Sequence, residues 1–176
     1  MRERLALPVL LVLSTLAAFG AGITWMTHMH HRGLRYLDPE RMPAYDQGYE
    51  QLSDLTVIPA GVAGLVCAMA LLLLRPRGVP LWMIGLSLCM QASIFVARVF
   101  MWGAWADEVR EAGSIWQPDG TLHPAYTDYM DLNWIRIVII SGYALLALVM
   151  ATLAVSRRGK TSNVTGPRHR TAEATP

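Results

Sequence analysis

Four apolar runs organise this chain, over residues 5–26, 55–74, 81–105 and 132–155, with polar residues gathered between them. Each run has the ~20 apolar residues that a helix needs to cross the hydrocarbon core of a bilayer. The pattern predicts an all-α, polytopic membrane protein, a four-transmembrane-helix bundle over residues 1–156. A basic cytoplasmic tail, disordered for want of any apolar face, is expected over 157–176. Arg2 and Arg4 before the first run imitate a signal peptide. Its apolar stretch outruns the ~7–15 residues of a cleaved signal, so a retained helix is expected. Between the second and third runs, Arg75-Pro76-Arg77-Gly78-Val79-Pro80 forbids a continuous helix and predicts an antiparallel hairpin.

Within the runs, small and polar residues recur at helical spacing. Ala17, Ala21, Thr24, His28 and His31 form one seam on the first run, and Ala60, Gly64 and Ala68 a small-residue face on the second. The third run carries Gly85, Cys89, Ser93 and Ala97 on one side and Gln91 with Arg98 on nearly the opposite side. A helix with two such lines is central to the bundle or touches a second copy, so a homo-oligomer is among the expected assemblies. On the fourth run Asn133, Arg136, Ile140 and Tyr143 share one side. The segment before the second run reads as a helix start at Asp38-Pro39-Glu40, with an N-cap carboxylate and proline at the first helical position. In the segment 106–131, the aromatic residues Trp116, Tyr126 and Tyr129 either cap a pocket or lie on the lipid headgroups, and the second is the expectation.

Composition and charge refine this picture modestly. The 176 residues are 53% hydrophobic, and the formal charge of +2 with no basic-aromatic surface excludes nucleic acid as a partner. The bilayer itself is the expected partner. Both cysteines, Cys67 and Cys89, lie within apolar runs with no Cys-x-x-Cys pair, which removes the usual thiol–disulfide signature. Basic residues collect at Arg2, Arg4, Arg75, Arg77, Arg157, Arg158, Lys160, Arg168 and Arg170. The positive-inside rule then places both termini in the cytoplasm of a cell that carries the chain in its plasma membrane.

Two arginines inside apolar runs carry the chemistry. Arg136 lies about one helical turn into the fourth run and Arg98 about seven residues below Trp105. An intramembrane cation costs roughly 2.5–3.5 kcal/mol at mid-bilayer on insertion scales and is a functional-site candidate by default. Glu50 and Asp54, one turn apart at the outer end of the second run, are the nearest anions at that depth. The string Met26-Thr27-His28-Met29-His30-His31 adds imidazoles and thioethers, which suit copper, zinc or iron. The metal-ligand candidates are therefore His28, His31, Glu50 and Asp54. The candidates for acid–base and oxyanion work are His28 and His31 as bases, with Arg98, Arg136 and Asn133 as stabilisers.

The order of elements resembles a family of small bacterial four-helix membrane proteins of undefined activity, distantly related to the anthrone-oxygenase-like membrane family. The likeness is carried by Thr24-Trp25 leading to His31, by Tyr45 followed by Val57 and Pro59, and by Asn133-Trp134-Ile135-Arg136. That family's pattern has a histidine where Tyr49 stands and a glutamine where His28 stands. The resemblance therefore implies a rearranged ligand set, and it supports the architecture more than a reaction.

Three functions stay open on the sequence. In the first, the charged residues pair and fix the helices, a structural or accessory role. The second is a membrane-embedded oxidase or oxygenase acting on a lipophilic, phenolic or polyketide-like molecule. In the third, the outer polar site holds a metal or small anion for transport or sensing.

Overall fold

The computed structural model describes residues 2–163, and among them every regular element is a helix, with no strand. Helix α1 covers Arg2–Gly33 and ends in a short 3-10 turn, Leu34–Tyr36. Helix α2 covers Met42–Leu74 and α3 covers Leu81–Ala97. A five-residue π-turn, Arg98–Trp102, joins α3 to α4, Gly103–Ala112, without a break in the rod. Helix α5 covers Pro124–Asn163. With α3 and α4 taken as one rod, four helices are long and apolar enough to cross a membrane. In the bundle α1 packs on α2 and α5, and α3 closes the ring against the same two helices.

Several element bounds differ from the sequence expectation. Helix α2 begins at Met42, not at Asp38, because the Asp38 side chain and carbonyl close a turn over Glu40, Arg41 and Met42 instead. Pro43 then occupies the first turn, where its missing N–H costs nothing. The third rod extends past Trp105 to Ala112 and stops where Gly113 takes a left-handed φ of 68°. The second long polar segment shrinks accordingly to a loop over 113–123. In it the Thr121 hydroxyl and N–H donate to Asp119, holding that carboxyl below its ordinary value. Helix α5 starts eight residues before Leu132 and runs through Asn163, so the first part of the expected tail is helical. The rest of that tail, 164–176, lies outside the described residues.

Two cores hold the bundle. One lies along the helices and packs Leu10, Leu13 and Ala17 of α1 against Ala68 and Leu71 of α2, Ile84 of α3 and Ala147 and Met150 of α5. The other sits at the end where α1 finishes and α5 begins, and it contains Leu34, Met42, Trp102, Ile115, Tyr126 and Tyr129. Tyr126 and Tyr129 are thus buried within the protein and not laid on headgroups; Trp116 is the one of the three that stays exposed. The Tyr126 hydroxyl donates to the His31 carbonyl at 2.8 Å and accepts from Arg35 Nε at 3.1 Å, capping the end of α1. Deeper in the bundle, the Ser14 hydroxyl reaches the carbonyls of Leu10 at 2.9 Å and, across the interface, Ala147 at 3.0 Å. Interhelical bonds of this kind contribute about 0.6 kcal/mol on average in a membrane. Large apolar side chains such as Leu11, Val12, Val66, Leu73, Leu145 and Val149 face outward, a surface compatible with a lipid surround.

Candidate functional site

A cavity of about 220 Å3 lies between α1, α2, the α3–α4 rod and α5. It is far larger than the roughly 10–15 Å3 a single water needs. Its walls are mostly apolar, from Leu16, Phe19, Ile58, Ile94, Phe95 and Ile140 among others. Its ionic residues are concentrated toward the end where α1 finishes, α2 begins and α5 enters. That placement follows from chain direction. Helices α2 and α5 descend from this end while α1 and α3 rise to it, so His31, Glu50, Arg98 and Arg136 arrive at similar depth.

Arg136 is the central side chain. It is only 9% exposed, and its Nη2 donates to the Tyr129 hydroxyl at 3.0 Å. Its guanidinium lies 5.3 Å from the Trp102 ring centroid and 5.5 Å from that of Tyr129. Among the described residues no carboxylate lies within ion-pair distance of it, and its Nε has no partner. The carboxylates of the cavity are occupied elsewhere. Glu50 Oε1 and Asp54 Oδ1 face Arg98 Nη2 at 3.6 and 3.7 Å, and Glu50 Oε2 is in close contact with Arg110. Asp46 accepts from His30 Nε2 at 3.1 Å. Trp102 also lines the cavity, is 2% exposed and has an unpartnered Nε1.

The histidines divide by role. His31 Nδ1 donates to the Thr27 carbonyl at 2.8 Å, which leaves Nε2 with a free lone pair on a ring that lines the cavity. Its ring stacks on Tyr129 at 4.6 Å. His30 is held between α1 and α2, stacked 3.6 Å from Tyr49 and 5.0 Å from Tyr45. Tyr49 in turn shares a 2.7 Å hydrogen bond with Thr27. His28 lies elsewhere: its Nδ1 accepts from Asn133 Nδ2 at 2.8 Å, both groups are buried, and neither residue lines the cavity.

The structure therefore gathers Arg136, Arg98, His31, Glu50 and Asp54 around one cavity, while His28 and Asn133 form a separate pair that clamps α1 to α5. Of the metal-ligand candidates, His28 is the one left outside. Among the described residues no group of three or more His, Cys, Asp or Glu side chains is arranged to hold a metal ion. The shared α1 face explains this: His28 and His31 are three residues apart, and a buried Asn133 captures the first before it can reach the cavity.

Arg110 had no signal in the sequence, and the π-turn is the reason. At about 100° per residue, a regular helix would turn Arg110 about 120° away from Arg98. One extra residue in a π-turn removes about 100° of that offset, which places both guanidinium groups at Glu50. Gly103 permits the turn: its N–H bonds the Arg98 carbonyl, and a Cβ there would lie 2.5 Å from that oxygen and 2.7 Å from Arg98 Nη1. No protein-family model matches the chain, and no curated protein or solved structure matches it either.

Proposed function

We propose that the protein binds a lipophilic small molecule inside the bilayer, through an oxygen-bearing head that is anionic or accepts hydrogen bonds. The observation that supports this most directly is Arg136, a buried cation on the cavity wall with no carboxylate in contact among the described residues. An intramembrane charge is costly unless it is paired, and here the nearby carboxylates are committed to Arg98, Arg110 and His30. Two unpartnered buried nitrogens of cavity-lining residues, Arg136 Nε and Trp102 Nε1, are donors, and the lone pair of His31 Nε2 is an acceptor at the same end. A guanidinium with further donors in a mostly apolar pocket suits an acceptor head and a hydrocarbon body. On the positive-inside reading both termini are cytoplasmic, the ionic end of the cavity faces outward, and the host membrane is the plasma membrane. The ion pairs of Arg98 and Arg110 are then the scaffold of the site, so the structural role first read from the sequence belongs to them and not to Arg136.

The test uses protein in lipid nanodiscs titrated with decanoic acid and with decanol, following tryptophan fluorescence. The acid is expected to bind saturably, the alcohol at least tenfold more weakly, and the preference to vanish in Arg136→Met. Equal binding of acid and alcohol, or saturable acid binding unchanged in Arg136→Met, overturns the reading.

A chemical role is the second reading, and the free Nε2 of His31 supports it. A base on the wall of a mostly apolar cavity that also holds a guanidinium is able to take a proton from a phenolic hydroxyl while Arg136 holds the resulting oxyanion. A spectral shift of a bound naphthol toward its naphtholate, lost in His31→Ala, is the expected signature; an unshifted spectrum removes this reading.

A further inference from the structure

We infer that the deep end of the same cavity is a second polar subsite, formed by Gln91 and Tyr143, that takes a hydroxyl group at the far end of the ligand. This rests on the binding role proposed for Arg136 and adds a second requirement to it. Gln91 and Tyr143 both line the cavity and are 7% and 5% exposed. Gln91 Oε1 and the Tyr143 hydroxyl are buried without any hydrogen-bond partner. Leaving such groups unsatisfied in a bundle core is costly, and they are rare in native structures. Both side chains reach the same face of α2: a Cβ on Gly64 would lie 2.6 Å from Gln91 Nε2 and 3.8 Å from the Tyr143 hydroxyl. The glycine thus makes room for the Gln91 amide, which any side chain there would displace.

The two helices present the same layout in opposite directions. On α3, Gln91 lies seven residues below Arg98, and on α5, Tyr143 lies seven residues below Arg136. Seven residues correspond to about 10 Å of helix rise. Each helix thus places a cation at the outer end of the cavity and a neutral hydrogen-bonding group two turns deeper, with Ile94, Phe95 and Ile140 between. The chemistry of the two ends is different. The outer end has a cation with unpartnered donors and the His31 Nε2 lone pair, whereas the deep end has an uncharged pair, the unpartnered acceptor Gln91 Oε1 and a hydroxyl that both donates and accepts. A ligand hydroxyl satisfies both, donating to Gln91 and accepting from Tyr143. The ligand class is therefore a lipophilic molecule with an acidic or carbonyl oxygen at one end and a hydroxyl about 10 Å away.

The probes are the straight-chain acids from hexanoic to dodecanoic and their ω-hydroxy counterparts, titrated into protein in nanodiscs. In a purely apolar pocket the hydroxyl weakens binding at every length. Here one chain length is expected at which the ω-hydroxy acid binds at least tenfold tighter than the plain acid. That preference is expected to disappear in Tyr143→Phe and in Gln91→Leu, with affinity for the plain acid unchanged. Both variants are expected to melt no lower than the parent, since the atoms they remove have no partner. Plain acids that bind as tightly as hydroxy acids at every length, or a Tyr143→Phe variant that melts markedly lower, overturn the subsite and leave the Arg136 head site standing. If neither series binds, the head site falls and this inference with it.

Discussion

Replacing Arg136 by methionine separates a binding role from a structural one, because the two predict opposite outcomes for stability. The substitution removes one charged hydrogen bond to Tyr129, about 1.5–3 kcal/mol, and cation–π contacts with Trp102 and Tyr129 of about 0.5–1 kcal/mol each. Against that, it removes an intramembrane charge whose insertion costs up to roughly 2.5–3.5 kcal/mol. No carboxylate is orphaned, since among the described residues none pairs with Arg136, and methionine fills a similar volume. The terms largely offset, so the net destabilisation is expected between about −1 and +2.5 kcal/mol. Breaking a true buried ion pair would instead cost about 3–5 kcal/mol. Binding of decanoate should respond differently. Loss of a desolvated charge contact costs at least about 2 kcal/mol, roughly a thirtyfold weakening. The assay is thermal unfolding in detergent followed by tryptophan emission, for which Trp102 is a local reporter, alongside the nanodisc titration. A variant that unfolds far below the parent, at a cost matching a broken ion pair, would refute the reasoning and return Arg136 to a scaffold role.

Three further outcomes follow from the same geometry. Reporter fusions after Arg77 and after Lys160 should read as cytoplasmic and a fusion near Asp119 as external; any reversal refutes the orientation. Gly103→Ala should lower the unfolding midpoint by the equivalent of about 1–3 kcal/mol, because its Cβ meets the Arg98 carbonyl and guanidinium. If Gly103→Ala melts like the parent, the π-turn is not what sets Arg98 against Arg110. Protein loaded with copper, zinc or iron and then desalted should retain less than one metal per chain, measured by elemental analysis. Stoichiometric metal that is lost in the His28→Ala, His31→Ala double variant would show that these histidines come together.

The legible part of this protein was the part set by hydrophobic length and helical period. Four apolar runs gave four rods long and apolar enough to cross a membrane, and the seam from Ala17 to His31 turned inward as a 3.6-residue repeat demands. Depth matching from alternating chain direction brought Arg98 and Arg136 to one cavity and set Glu50 and Asp54 beside Arg98. The helix ends were less legible, because polar residues continue a helix as readily as they leave it. Tyr126 and Tyr129 are polar-tipped, yet they pack into a second core on α5 well before its apolar run begins.

What stayed hidden was anything that departs from regular periodicity. A π-turn has no composition of its own, so the rotation that carries Arg110 to Glu50 is invisible to a pattern read at 100° per residue. Gly103 is the trace it leaves, and a lone glycine in an apolar run reads equally well as a packing residue. The same departure settles which arginine does what. Because the π-turn supplies Arg110 as a second cation, Glu50 and Asp54 are satisfied by the α3–α4 rod alone. Arg136, facing them from α5, is then not drawn into the ion-pair network. A regular helix would turn Arg110 away and leave the acids short of a partner. The irregular turn in one helix is thus the structural reason that a cation on another stays outside the ion-pair network.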